Sequence, residues 1–97
     1  MKEEIGNIIT VCRLYRGFTQ QYMAFKLGIT VGSYANLERG RVDISIKKLC
    51  LVAKILLFKP YQILILAETI HENEEYDWLP SVIRTMTVLA LKERIAP

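Results

Sequence analysis

Apolar residues recur along this chain at helical spacing almost throughout. Ile5, Ile8, Ile9 and Cys12 follow a three-four rhythm, which predicts a first helix over about 2–15, ended by Gly17. Thr19 stands where a side-chain cap would open a second helix over about 20–27, with Met23, Ala24 and Leu27 facing inward. Gly28 stops it, and Thr30 is placed to cap a third helix over about 31–38, whose inward residues are Tyr34, Leu37 and Ala35. Gly40 closes that one. Asp43 and Ser45 offer caps for a fourth helix over about 46–57. Its apolar positions Ile46, Leu49, Cys50, Val52, Ala53, Leu56 and Leu57 make a wide face, so it is expected at the centre. Pro60 suits the first turn of a fifth helix over about 60–70, where Ile63 to Ala67 is apolar all round.

The remaining residues change character. Residues 71–77 are acidic and polar and read as a hinge. A last helix over about 80–94 carries one stripe of Leu79, Val82, Ile83, Met86, Leu89 and Ala90, and a second of Val88, Leu91 and Ile95. Two apolar stripes exceed what one contact face requires. The chain therefore reads as all-α: a five-helix domain over 1–70, then an acidic hinge and C-terminal helix over 71–97. Within the first part, two short helices joined by Gly28, Ile29 and Thr30 have the spacing of a helix-turn-helix.

Composition narrows the possibilities. With 97 residues, 52% of them hydrophobic, the chain is long enough for one domain with a core and is not of disordered type. Cys12 and Cys50 form neither a C-x-x-C nor a zinc spacing and are expected as two buried, reduced thiols of a cytoplasmic protein. The opening Met1-Lys2-Glu3-Glu4 is polar and is not expected to be a signal peptide, and Lys54, Lys59 and Pro60 interrupt the longest apolar runs before they reach membrane length. The formal charge of +3 is unevenly spread. Residues 1–60 hold ten basic and four acidic side chains, a balance of +6, and residues 61–97 hold three and six, a balance of −3. Such a division suits a polyanionic partner for the first part only.

No Ser-His-Asp or Cys-His set and no glycine-rich phosphate loop is present, so no catalytic, cofactor or metal site is expected. His71, beside Glu72, Glu74 and Glu75, reads as part of a solvated linker rather than a metal ligand. Tyr15, Tyr22, Tyr61 and Tyr76 are expected at the rims of the core, and Trp78 as the anchor of the last helix.

The segments Gly17-Phe18-Thr19-Gln20-Gln21, Ala24-Phe25-Lys26-Leu27-Gly28-Ile29-Thr30 and Tyr34-Ala35-Asn36-Leu37-Glu38-Arg39-Gly40 follow each other without gaps. In this order they resemble the Xre/Cro-like, or lambda-repressor-like, helix-turn-helix proteins, over roughly residues 5–68. The resemblance implies a DNA-binding regulator that lays its third helix in the major groove. It places Val31, Gly32 and Asn36 at base-reading positions, where Asn36 has the geometry to pair with adenine. Val31 and Gly32 depart from the glutamine, arginine or serine that the family prefers. Valine reaches only a thymine methyl, and glycine carries no side chain and costs the helix about 1 kcal/mol against alanine. By the same resemblance Gln20 binds backbone phosphate, and Arg13 pairs with Glu38 as a structural salt bridge. Ser33, Tyr34, Arg39, Arg41 and Lys47 are further expected phosphate contacts.

Double-stranded DNA is thus the expected partner, read by a homodimer in the cytoplasm. Ile63, Leu79, Val82, Ile83, Met86 and Leu89 are the expected dimer surface. A repressor is the leading function. An antitoxin whose C-terminal region covers a toxin, or the controller of a restriction-modification system, shares the same chemistry. A protein-interaction module that keeps the fold and has lost DNA binding stays open as the alternative, because of Val31 and Gly32.

Overall fold

Three short turns set the course of the chain, and each is built from local hydrogen bonds. In a computed structural model, which describes residues 1–72 and 79–95, six helices follow one another: α1 Lys2–Arg16, α2 Gln20–Leu27, α3 Val31–Glu38, α4 Ile46–Leu56, α5 Pro60–Glu72 and α6 Leu79–Ile95. The hydroxyl of Thr19 accepts from Tyr22 N at 3.0 Å, that of Thr30 from Ser33 N at 3.1 Å, and that of Ser45 from Lys48 N at 3.1 Å. Each satisfies an amide that has no partner within its own helix. Ser45, not Asp43, is therefore the cap of α4. At the start of α5 the cap is reciprocal: Gln62 Oε1 accepts from Lys59 N at 2.8 Å, and Gln62 N donates to Lys59 O at 2.9 Å. That pairing buries Gln62 and was not expected from the sequence.

The end of α4 breaks a local rule. Leu57 takes φ 62°, a left-handed conformation that glycine adopts at far lower cost. The helix accordingly stops one residue short of its expected end. Leu57 N and Phe58 N donate to Lys54 O and Ala53 O, and Phe58 turns into the core. Arg16 secures this end from outside, with Nε on Leu56 O at 2.7 Å and Nη2 on Leu57 O at 3.0 Å, while its guanidinium lies over the Phe58 ring. A cation on the last carbonyls of a helix also suits the helix dipole.

One core joins all six helices. Ile8, Ile9 and Cys12 of α1 meet Met23 and Ala24 of α2, Tyr34 and Leu37 of α3, and the Leu49, Val52, Ala53, Leu56 stripe of α4. Ile63, Leu66, Ala67 and Ile70 of α5, and Val82 and Met86 of α6, complete it. Helix α1 runs so close to α3 that Gly6 has no room for a side chain: a Cβ there would lie 2.5 Å from the Glu38 carbonyl oxygen. Burial of Cys12 pushes its thiol up to about 12, so it stays a neutral core group. Ile70 remains in the core and His71 Nδ1 lies 3.7 Å from Glu4 Oε1 of α1. This packing carries α5 on to Glu72, two residues beyond the expected end. Residues 73–77 of the expected hinge, with Tyr76, and the expected anchor Trp78 lie outside the described residues.

Several expectations are corrected by this packing. Ile63 and Val82 are fully buried and Met86 is 3% exposed, all three inside the chain's own core, so they are not available to a second subunit. Helix α6 spends that stripe on α5, because folding the helix back covers apolar surface within one chain. Leu79 and Ile83 of the expected surface do stay exposed, and the side chain of Leu89 lies outside those described. Cys50 is exposed rather than buried. The buried stripe of α4 is narrower than its apolar composition, and Ile46, Leu51 and Leu57 are exposed with Cys50. Tyr15 and Tyr22 stand at the edge of the core, their ring centroids 6.3 Å from that of Phe58 and 4.6 Å from that of Phe18, and Tyr61 is exposed. Among the described residues, no single helix is long and apolar enough to cross a membrane.

Candidate nucleic-acid interface

The turn between α2 and α3 is what presents α3 to the outside. Gly28 sits at φ 68°, and Ile29 N returns to Ala24 O at 3.0 Å, so the chain reverses in three residues before Thr30 starts the next helix. Helix α3 then divides into two faces. Tyr34, Ala35, Leu37 and Glu38 are buried. Val31, Gly32 and Ser33 of its first turn are exposed, and Asn36 is half-buried one turn on. The Thr30 hydroxyl donates to Ser33 Oγ at 2.9 Å, which leaves the Ser33 hydroxyl hydrogen available to an acceptor outside the protein.

Asn36 lies in a shallow groove of about 310 Å³ between α3 and the segment leading to α4, lined also by Ser33, Val42, Asp43 and Lys48. Asp43 and Lys48 were not assigned to this place by sequence reasoning. They lie beyond the end of α3, and the left-handed turn at Gly40 brings the chain back so that they stand alongside Asn36. Arg39, Arg41 and Lys47 are exposed on the segment that follows α3 and at the start of α4.

Beneath this surface lies a buried ionic group. Arg13 Nε is 2.6 Å from Glu38 Oε2 and Nη2 is 3.2 Å from Oε1, while Nη1 donates to Phe18 O at 2.9 Å. Gln20 Nε2 donates to Glu38 Oε1 at 2.9 Å. The end of α1, the start of α2 and the end of α3 are thus tied at one carboxylate. Burial pushes the Glu38 carboxyl up, but the hydrogen bonds from Arg13 and Gln20, the nearby Tyr34 hydroxyl and the arginine charge outweigh it and hold it below its ordinary value. Gln20 keeps a second amide hydrogen that Glu38 does not use, so it retains a donor for a phosphate.

Tyr34 does not belong to the outer surface. It is fully buried, with its hydroxyl beside Glu38 and Arg13. Burial and then the Glu38 carboxylate raise that hydroxyl above its ordinary value. The expected phosphate contact by Tyr34 is corrected, and the inward position its helical spacing predicts is the one observed: residue 34 lies on the same side as Leu37 and Glu38, away from solvent.

A short capped helix, a glycine turn and a second helix with an exposed first turn form a complete unit, and the Helix-turn-helix family model matches residues 12–60. The chain belongs to that helix-turn-helix family. Within it the likeness is to the Xre and lambda-repressor-like proteins, and the chain is a DNA-binding transcription regulator. A crystal structure of the clp gene regulator ClgR from C. glutamicum is 28% identical, with a TM-score of 0.67 over 69% of this chain and 87% of that one. A second crystal structure of ClgR from Corynebacterium glutamicum is 23% identical, with a TM-score of 0.65 over 98% of this chain and 85% of that one, a likeness of fold. No curated protein matches the chain by sequence. The helix-turn-helix family is one of regulators rather than enzymes.

Proposed function

We propose that this helix-turn-helix protein is a cytoplasmic repressor that occupies near-palindromic DNA as a two-fold dimer. Residues 1–70 carry the DNA interface and residues 71–97 contribute to self-association. The observation that supports the reading is the outward face of α3, with Val31 and Gly32 exposed at its start and Asn36 one turn on, flanked by Arg39, Arg41 and Lys47. Asn36 reads adenine, and Gln20, Ser33, Arg39, Arg41 and Lys47 hold phosphates. Selection from a randomised duplex library tests it. Wild-type protein is expected to enrich a palindromic motif, and Asn36→Ala to lose about 1–3 kcal/mol of preference at one adenine position in each half-site. An unchanged motif with Asn36→Ala removes this residue from the readout.

The dimer is supported by an apolar groove of about 460 Å³ between α1 and α6, whose outer lining is Val11, Leu14, Tyr15, Leu79, Ile83 and Thr87, with the buried Met86 only at its floor. Leu14 and Ile83 at its edge are 62% and 52% exposed. A charge at Ile83 faces solvent in a monomer and a low-dielectric contact in a dimer. Ile83→Glu is therefore expected to sediment as a monomer at low micromolar concentration with its helix content intact. A dimer that survives this change places self-association elsewhere.

A further inference from the structure

The five glycines of this chain do not have equivalent roles. Gly17, Gly28 and Gly40 sit at positive φ, and at Gly6 a Cβ would strike the backbone of α3. Gly32 has neither reason. It lies inside α3 with no left-handed backbone, and a Cβ built there meets nothing within 4 Å. Glycine is unfavourable at such a position because it gives up more backbone freedom than alanine and contributes no contact in return. The fold itself therefore does not call for a glycine at 32.

Its surroundings supply a reason outside the chain. Gly32 is flanked by Val31, exposed and apolar, and by Ser33, whose amide is taken up by the Thr30 cap. The exposed start of α3 thus presents a bare Cα beside the Val31 methyl groups, with no side chain that could hydrogen-bond a base edge from position 32. The two residues together present an open, apolar stretch with no side chain at position 32, and a duplex laid against it would enclose an apolar notch there. Among the groups on the major-groove edges of the base pairs, the one suited to such a notch is the C5-methyl of thymine.

We propose that Gly32 is a specificity-determining residue: its missing side chain lets α3 seat against the duplex so that a thymine methyl fits between the Gly32 backbone and Val31. The proposal rests on the reading of α3 as the recognition helix. It deepens that reading by assigning recognition at this position to shape rather than to a hydrogen bond. A Cβ at position 32 fills the notch. Gly32→Ala consequently strengthens the protein and weakens its specific binding, two effects of opposite sign that a merely structural role would not produce.

The test measures thermal stability and DNA affinity together, on the duplex that the wild-type protein selects. Gly32→Ala is expected to raise Tm by about 4–8 °C or less, and to lower affinity for the selected duplex by about tenfold while leaving non-specific affinity unchanged. Thymines of the half-site are then replaced one at a time by uracil, which removes only the methyl. One replacement is expected to weaken wild-type binding about fourfold, the worth of one buried methyl group, and to leave Gly32→Ala binding unaffected. Wild-type affinity in Gly32→Ala, or equal sensitivity of both proteins to every uracil, overturns the notch while α3 remains the recognition helix. Wild-type protein that binds no duplex in a salt-dependent way overturns the underlying reading and the notch with it.

Discussion

Glu38→Ala is expected to destabilise the protein by about 3–5 kcal/mol. The carboxylate receives Arg13 Nε and Nη2 and Gln20 Nε2, and the Arg13 and Glu38 side chains are only 11% and 5% exposed. Removing it strands the buried arginine and leaves the nearby Tyr34 hydroxyl in an apolar setting without its acidic neighbour. A domain of this size holds about 5–15 kcal/mol in total, so the loss is a large share and is readily measured by urea unfolding. Replacing both ends by apolar residues of similar volume, Arg13→Met with Glu38→Leu, is expected to cost much less, because no uncompensated charge stays behind. A single-variant loss below about 1 kcal/mol would mean that water reaches the pair and screens it. The same carboxyl sets an acid limit. Its folded value lies below the ordinary one, so its contribution is present above the unfolded value of about 4.3 and fades as the pH falls through the folded value. Wild-type protein should lose stability on acidification below about pH 4.3, and Glu38→Gln, less stable at neutral pH, should lose less over that interval.

The largest effect on binding is expected from salt. If Arg39, Arg41 and Lys47 each hold a phosphate, a dimer makes about six such contacts, and its affinity falls by roughly 10³-fold between 50 and 200 mM salt, with a logarithmic slope of about −5. Arg39→Ala combined with Arg41→Ala removes four of them and should flatten the slope to about −2. That change should appear equally on selected and unrelated duplexes, because phosphates carry no sequence. Asn36→Ala, by contrast, should leave the slope alone and alter only the preferred bases. A slope unchanged by the double substitution would show that these arginines are solvated. Fluorescence anisotropy across a salt series reads both outcomes.

The readings that held share a short range. Thr19, Thr30 and Ser45 each cap an amide three residues ahead, and such a pairing is decided within one turn of chain. Readings that depended on which face of a helix is covered were less secure. Val82 and Ile83 are adjacent and similar in hydrophobicity, yet one is fully buried and the other 52% exposed. Nothing in their spacing separates a stripe spent inside the chain from one left outward, since both satisfy the same periodicity. Cys50 and Ile46 were misplaced for a related reason: a helix with apolar residues on most sides does not reveal how wide its contact is.

The sequence by itself determined the six helices, the Thr19 and Thr30 caps and the glycine turn before α3. Each depends on neighbours within a few residues, where propensity and hydrogen-bond geometry suffice. Only the tertiary structure decided that the inward-facing Tyr34 sets its hydroxyl beside the Arg13–Glu38 pair, that Gln20 is held by that carboxylate, and that Ile63, Val82 and Met86 belong to the chain's own core. It also brought Asp43 and Lys48 beside Asn36 and brought α1 against α3 at Gly6. The physical reason is that burial is settled by contacts between helices distant in sequence, where several apolar faces compete for a core that can cover only some of them.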